Sequence, residues 1–266
     1  MTGADAQTTL DSQNAGFWDE LCGSALAREI GVTDASAESL ARFDAAYLSQ
    51  YPYLESYLSA ERLRDSRTLE IGLGYGTLSG RLIAHGADLY GVDIAEGPVE
   101  MVRHRLRLAG EEPGPERVIQ GSALDLPHQS DFFDFVYSIG CLHHTGDLPR
   151  SVAEVHRVLR PGGTAVVMLY NRYSARQLKR VVIPALLRRG RSARDVRGMY
   201  DTNAAGQAAP HTDYVGRREA RRLFGHFGHV RIDTRNFDSL PHIPRRRLLG
   251  NVDRILGLDL YITARK

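Results

Sequence analysis

From Arg67 onward, short apolar runs alternate with amphipathic stretches, and the alternation repeats. The runs RTLEIG, ADLYGVD, RVIQG, FFDFVYSIG and TAVVMLY read as five successive strands bounded by turn residues. Between the first two, TLSGRLIAHG sets Leu78, Leu82 and Ile83 on one helical face and stops at Gly86. PVEMVRHRLRLAG reads as a helix closed by Gly110, and DLPRSVAEVHRVLR places Leu148, Val152, Val155 and Leu159 at helical spacing. Pro161-Gly162-Gly163 predicts a turn into the fifth strand. Strands alternating with helices of about 10–15 residues imply βαβ units, a mostly parallel sheet and right-handed crossovers.

The flanks differ. Residues 15–66 are helical in pattern: Phe17, Trp18 and Leu21 share a face that Cys22 and Ala25 extend, and Leu40, Phe43, Tyr47, Leu54 and Leu58 follow at similar spacing. Pro52 is expected to split that second stretch. This predicts a helical cap over 15–66, preceded by a disordered, solvated tail over 1–14. After Tyr170 the alternation stops, and 171–213 is too long for an ordinary connection, so an inserted helix plus loop is expected there. Regularity returns with the helix GRREARRLFGHF, the strand HVRIDTRN and a closing strand in LGLDLYITARK. The main domain is thus expected to cover 67–266.

Length and composition narrow the class. The 266 residues suffice for one large domain with a modest cap, and 42% hydrophobic with 25% charged residues is globular rather than disordered. Cys22 and Cys141 stand far apart in no CxxC, which suggests reduced thiols and a cytoplasmic setting, not a disulfide framework or a zinc site. No run of eighteen apolar residues is present, and the first residues lack both a basic start and an apolar h-region, so neither membrane insertion nor a signal peptide is expected. The net charge of +2 conceals an asymmetry: residues 1–150 carry 11 Lys and Arg against 23 acids, and 151–266 carry 23 against 9. Such polarity fits either an anionic partner or two halves that attract each other.

The chemistry concentrates at Leu69-Glu70-Ile71-Gly72-Leu73-Gly74-Tyr75-Gly76-Thr77, where a strand ends, glycines turn the chain and a helix begins. A dinucleotide fingerprint would need glycine at position 77, and this chain has Thr77. Glu70, a carboxylate at the buried strand end, needs a cation or donor beside it. S-adenosylmethionine (SAM) brings an ammonium and a sulfonium to such a place; NAD would bring an anionic pyrophosphate. Asp93, ending the second strand 17 residues past Gly76, suits ribose hydroxyls, with a helix N-cap as the plainer role. The segments Gly121–Pro127 and Tyr137–His144 lie after strands three and four, so all four landmarks fall at the carboxyl edge where open α/β sheets bind ligands.

LEIGLGYGT, GVDIA, GSALDLP, FDFVYSIGCLHHT and EVHRVLRPGGTAVVMLYN resemble the successive motifs of class I SAM-dependent methyltransferases, nearest to the small-molecule branch related to quinone biosynthesis. The likeness runs over 67–171 and resumes weakly over 214–266. It implies a Rossmann-like α/β fold: a seven-stranded, mostly parallel sheet of order 3-2-1-4-5-7-6, helices on both faces, and an antiparallel last strand. It further implies that Glu70, Gly72, Gly74 and Gly76 hold the methionine part of SAM and Asp93 the ribose. Ile94, Ser122, Ala123 and Leu124 would surround adenine, and Thr77 and Ser138 would complete the cofactor set. Ser122 departs from the family's frequent aspartate, which implies rearranged adenine contacts.

Methyl transfer needs an acceptor held in line with the sulfonium, and a base only if the acceptor must lose a proton. His143 and His144 are the candidate bases, since histidine titrates near neutrality. Trp18, Tyr170, Asn171, Tyr173, His211 and Tyr214 are candidates to meet the acceptor, with the cap and the insert closing the pocket. The other histidines lack ligand spacing, so no metal is expected. The leading expectation is a small-molecule methyltransferase acting on oxygen or nitrogen, less readily carbon, in specialised-metabolite biosynthesis, with S-adenosylhomocysteine as the other product. An RNA or tRNA methyltransferase is the alternative in substrate class. It rests on Arg172–Arg197, with nine basic residues and one acid, but no nucleic-acid module accompanies that tract. A non-catalytic SAM-binding scaffold is the alternative in function class, and a homodimer is left open.

Overall fold

The computed structural model describes residues 3–21, 24–179, 183, 201–203, 205–237 and 245–266. Its centre is a seven-stranded sheet of order 3-2-1-4-5-7-6. In chain order the strands are β1 (Arg67–Ile71), β2 (Asp88–Asp93), β3 (Val118–Gln120), β4 (Phe133–Ile139), β5 (Leu159–Tyr170), β6 (His229–Arg235) and β7 (Asp259–Arg265). β3, β2, β1, β4 and β5 pair in parallel, while β7 runs antiparallel to both β5 and β6. The central parallel strands β1 and β4 are buried on both faces, which is why they read as near-continuous apolar runs instead of alternating ones.

Side-chain parity sorts the core into two layers. Leu69 and Ile71 of β1, Val136 of β4 and Leu260 and Ile262 of β7 pack on one face with Val155 and Phe224. Phe135, Tyr137 and Tyr261 project to the other, against Leu82, Leu89 and Val102. Glu70, between Leu69 and Ile71, therefore points to the second face. There the helix Thr77–Ala84, which starts directly after the glycine loop, brings Ser79 to it.

The N-terminal part holds α1 (Gly3–Leu21), α2 (Ser24–Glu29), α3 (Ala37–Gln50), a 3₁₀ turn (Leu54–Tyr57) and α4 (Ala60–Leu63). Ser36 caps α3, its hydroxyl accepting from the Ser39 N–H at 3.3 Å. The helix stops ahead of Pro52, which disfavours helical geometry at Tyr51 (φ −124°, ψ 59°). The expectation of a disordered tail over 1–14 is corrected: from Gly3 onward these residues are helical and docked. The contacts that dock them are chiefly polar. The Gln7 side-chain amide donates to the Thr145 carbonyl (2.9 Å) and that of Asn14 to the His144 carbonyl (2.9 Å).

The crossover helices of the main domain are α5 (Thr77–Ala84), α6 (Glu96–Leu108) and α7 (Leu148–Val158), followed by the short α8 (Ala175–Gln177) and α9 (Arg217–Leu223). Pro161-Gly162-Gly163 is corrected from a turn to a bulge inside β5. The strand starts at Leu159, its register against β4 shifts between Phe133 and Phe135, and Gly162 takes φ +79°. Of the expected insert, a one-turn helix at 175–177 and a bridge between Thr202 and Ala208 are described. Most of the basic tract lies outside the described residues, as does Cys22. Arg160 with Asp134, and Lys266 with Asp131 at 2.8 Å, pair the basic half of the chain with the acidic half.

Candidate active site

The glycine loop runs from β1 into α5 with Gly72, Gly74 and Gly76 all at positive φ (82°, 53° and 75°). Two of them need glycine for different reasons. A Cβ on Gly72 would overlap the Cβ of Cys141, so the loop and the end of β4 can approach only without a side chain. A Cβ on Gly74 would meet nothing within 4 Å. The protein leaves that side of the backbone open, as a loop must where a ligand lies against it.

Asp93 ends β2 beside this loop, nearly buried, and is not a helix N-cap: α6 is preceded by Ala95. One carboxylate oxygen accepts from the Leu73 N–H at 2.7 Å and the other from the Ala95 N–H at 2.9 Å. Burial raises its pKa, and the backbone donors pull the other way. The carboxylate lines an apolar cleft with Ile71, Val92, Ile94, Ser122 and Ala123. A carboxylate beside an apolar slot fits a ribose and a base. Leu124 is buried behind this cleft and does not line it. The Ser138 hydroxyl donates to the Ile71 carbonyl at 3.0 Å, so it fixes the strand ends and is not aimed at a ligand.

Glu70 lines the adjoining space with Gly74 and Thr77. Its carboxyl accepts from Ser79 Oγ at 2.5 Å, and burial pushes it up to about 8. Among the described residues Arg105 acts on it only through space and no cation is paired with it, so an entering ammonium would supply a partner. The Thr77 hydroxyl instead donates to Asp44 of α3 at 2.7 Å. Asp44 also takes a bidentate pair from Arg105 (2.8 and 2.9 Å), and the Arg105 Nε–H donates to the Tyr75 carbonyl at 3.0 Å. The cap is thereby clamped to the glycine loop. The Arg105 side chain is 7% exposed and that of Asp44 23%. Asp44→Ala, which strands a buried guanidinium, is expected to cost about 3 kcal/mol in a urea titration. It should also weaken SAM binding, measured calorimetrically; unchanged stability would show that the clamp carries little.

α1 covers the apolar cleft. Asp11, Asn14 and Trp18 line it, and the Trp18 ring packs on His144 with centroids 4.5 Å apart. Asp11 and Asn14 escaped sequence reasoning because their segment has no apolar periodicity. Their spacing ahead of Trp18, three and then four residues, is the helical signal that could have found them.

Beyond β5 lies a second, polar cavity of about 200 Å³, lined among others by Tyr51, Tyr170, Tyr214, Asp201 and Asp259. His144, which lines the apolar cleft, stands at the boundary with this cavity: its Nε2 lies 3.9 Å from Asp201 Oδ2. Asp201 lines the polar cavity and the space beside Glu70 alike. It also accepts from the Tyr170 hydroxyl at 3.1 Å. Asp201 and Asp259 carried no motif and were not singled out from the sequence; only the fold brings them here.

The remaining candidates separate. His143 is fully buried between His144 and Tyr170 (ring centroids 4.2 and 4.1 Å), burial holds its pKa well below the ordinary value, and it lines none of these cavities. Asn171 lines the polar cavity, but its amide donates to the Gly257 carbonyl (2.8 Å) and its oxygen accepts from the Tyr173 N–H (3.0 Å). Tyr173 is 69% exposed and packs on Gly216, away from the site. His211 contributes its carbonyl, which accepts from His144 Nδ1 at 2.7 Å, while its ring faces Asp213 at 3.1 Å.

A family model described as a methyltransferase domain matches residues 69–167. Demethylmenaquinone methyltransferase of Clavibacter sepedonicus is 36% identical over 103 residues, 38% of this chain and 40% of that protein. Ubiquinone biosynthesis O-methyltransferase of Pseudomonas aeruginosa is 30% identical over 111 residues, 41% of this chain and 47% of that protein. The chain thus spans less than half the length of these curated relatives. The structure of magnesium protoporphyrin IX methyltransferase from Synechocystis with bound SAH superposes with a TM-score of 0.58 at 11% identity, over 97% of this chain and 99% of that one. The sequence match falls on β1 to β5 and the shared fold extends over the whole sheet: residues 69–167 match a methyltransferase domain, set in the fold of SAM-dependent methyltransferases.

Proposed function

We propose that this chain transfers the methyl group of SAM to a nitrogen or oxygen, less readily a carbon, of a small-molecule acceptor. The observation that carries the reading is the junction at His144 and Asp201, where a largely apolar cleft fit for adenosine meets a polar cavity. In this reading Glu70 and the loop at Gly72, Gly74 and Gly76 hold the methionine end, Asp93 the ribose, and Ile94, Ser122 and Ala123 the base. SAM supplies an activated methyl group; the protein supplies alignment and excludes water, with α1 and the residues around Asp201 as the cover. Two of the matched relatives are named for demethylmenaquinone and for ubiquinone biosynthesis, which supports a small acceptor. Release of S-adenosylhomocysteine from the purified chain with SAM and a panel of hydroxylated and aminated metabolites tests it. A chain that binds SAM yet turns over nothing in a broad panel would favour the non-catalytic scaffold.

Glu70 gives this reading a pH signature. With its folded pKa at about 8 and an ordinary unfolded value near 4.5, the folded chain holds a proton there that the unfolded chain releases. Stability from this group is therefore greatest at low pH and declines as pH rises from about 4.5 to about 8. Docking an ammonium against Glu70 requires its ionised form, so SAM binding near pH 7 should release about one proton. Calorimetry in buffers of different ionisation enthalpy measures that number. Glu70→Gln should abolish the release and stabilise the unliganded chain at pH 8; an unchanged proton count would remove Glu70 from the ammonium site.

A further inference from the structure

Two hydrogen-bond acceptors face each other at the junction of the cavities. His144 Nδ1 lies 2.7 Å from the His211 carbonyl, so Nδ1 carries the proton and Nε2 presents a lone pair. The His144 side chain is only 5% exposed, and burial lowers its pKa, which keeps the ring neutral. Opposite stands Asp201 Oδ2 at 3.9 Å. Asp201 Oδ1 is occupied by the Tyr170 hydroxyl, whereas neither Oδ2 nor His144 Nε2 has a partner among the described residues. Trp18, His143 and Tyr170 pack around the imidazole by their rings, and none donates to Nε2.

Leaving two buried acceptors without a donor is costly, and a carboxylate facing a neutral imidazole lone pair adds repulsion. A group with two or more N–H bonds placed between them satisfies both, while a hydroxyl, with one hydrogen, satisfies one. Asp201 and Asp259 both line the polar cavity, burial pushes Asp259 up to about 7, and Arg176 is the one cationic side chain among the described lining residues. Asp259 is itself occupied by the Asn236 amide at 2.9 Å, which leaves Asp201 as the free carboxylate edge.

We propose that the acceptor is a primary or secondary amine, seated as its ammonium between His144 Nε2 and Asp201 Oδ2, and that the methyl group is delivered to that nitrogen. This rests on the methyltransferase reading above and narrows it to nitrogen. The ammonium gives one proton to His144 Nε2, and the imidazolium so formed faces the Asp201 carboxylate. The freed nitrogen pair forms the bond to the methyl carbon as the carbon–sulfur bond breaks, its electron pair staying on sulfur as a thioether. The product leaves as the methylated ammonium, and His144 returns its proton to solvent. Asp201, held by Tyr170, keeps a second N–H of the acceptor in line.

The experiment uses the full chain with SAM and matched pairs of compounds, each a primary amine and the alcohol of the same skeleton, benzylamine with benzyl alcohol among them. S-Adenosylhomocysteine release is the readout. Within pairs that respond, the amine is expected to turn over at least 100-fold faster than the alcohol. Asp201→Asn should lower kcat/KM for the amine at least 100-fold while leaving the SAM Kd within threefold, because its amide donates to His144 Nε2 and closes the seat. His144→Gln should lower kcat more than it raises KM. Preference for the alcohols, or no amine that responds, overturns the proposal; so does an Asp201→Asn variant that loses SAM affinity as steeply as turnover, since that would put the carboxylate at the cofactor. A chain with no affinity for SAM overturns instead the reading on which this one rests, and shows it before any acceptor is added.

Discussion

Gly74→Val is expected to weaken SAM binding by about 100-fold or more while the chain still folds. Two effects add at this position. The backbone sits at φ +53°, where a β-branched residue is strained by about 1–3 kcal/mol. The new side chain would also project into space that no protein atom occupies within 4 Å, so nothing but a ligand resists it. A hundredfold loss corresponds to about 3 kcal/mol, within reach of strain and displaced ligand together. Gly74→Ala separates them, since it bears most of the strain and fills little of the space; it should lose less affinity. Gly72→Ala is the contrasting case. There the Cβ overlaps Cys141, so the protein itself resists and the loss should appear as a lowered unfolding midpoint. Calorimetric titration with SAM and S-adenosylhomocysteine measures the first effect, and urea unfolding the second. Undiminished affinity in Gly74→Val would place the cofactor elsewhere.

The strands and crossover helices of the sheet were legible because the signal there is local and periodic, while the strand order came from the resemblance to class I methyltransferases. Each strand is a buried apolar run, each crossover carries a helical stripe, and the glycine loop, Asp93 and the Ser122-Ala123 segment all fall at strand ends where α/β sheets expose their carboxyl edge. What could not be read depends on contacts between distant segments. Residues 3–14 looked like a tail because their helix is held mainly by side-chain amides on the carbonyls of His144 and Thr145, and amides leave no apolar stripe. Thr77 was placed with the cofactor by its position in the loop, yet its hydroxyl is spent on Asp44, more than thirty residues earlier. His143 and His144 could not be told apart in sequence. The 3₁₀ turn over Leu142–His144 buries one ring against Tyr170 and turns the other toward Asp201. Asp201 itself sits in a polar, small-residue stretch with no periodicity, and only the return of the chain past β5 brings it opposite His144.

Asp93→Asn should be nearly as damaging as Asp93→Ala, each lowering SAM affinity by about 100-fold, although asparagine has the same shape. Both carboxylate oxygens are acceptors in use: one takes the Leu73 N–H and the other the Ala95 N–H. An amide offers one oxygen and one NH₂, so in either orientation a donor is turned against a backbone donor. If the NH₂ faces Leu73, the glycine loop loses its tie to β2; if it faces Ala95, the start of α6 does. An unpaired buried N–H costs about 1–3 kcal/mol, and the lost carboxylate lone pairs remove the ribose partners besides. Alanine removes both acceptors but adds no opposing donor, so the two variants should converge. Asp93→Glu keeps the charge and both acceptors but lengthens the arm by a methylene in a nearly closed site, and should recover little. Calorimetric Kd values for SAM across the three variants, with far-ultraviolet circular dichroism to confirm folding, decide the matter. Near-parental affinity in Asp93→Asn would mean that its two backbone hydrogen bonds do not hold the loop in its binding shape.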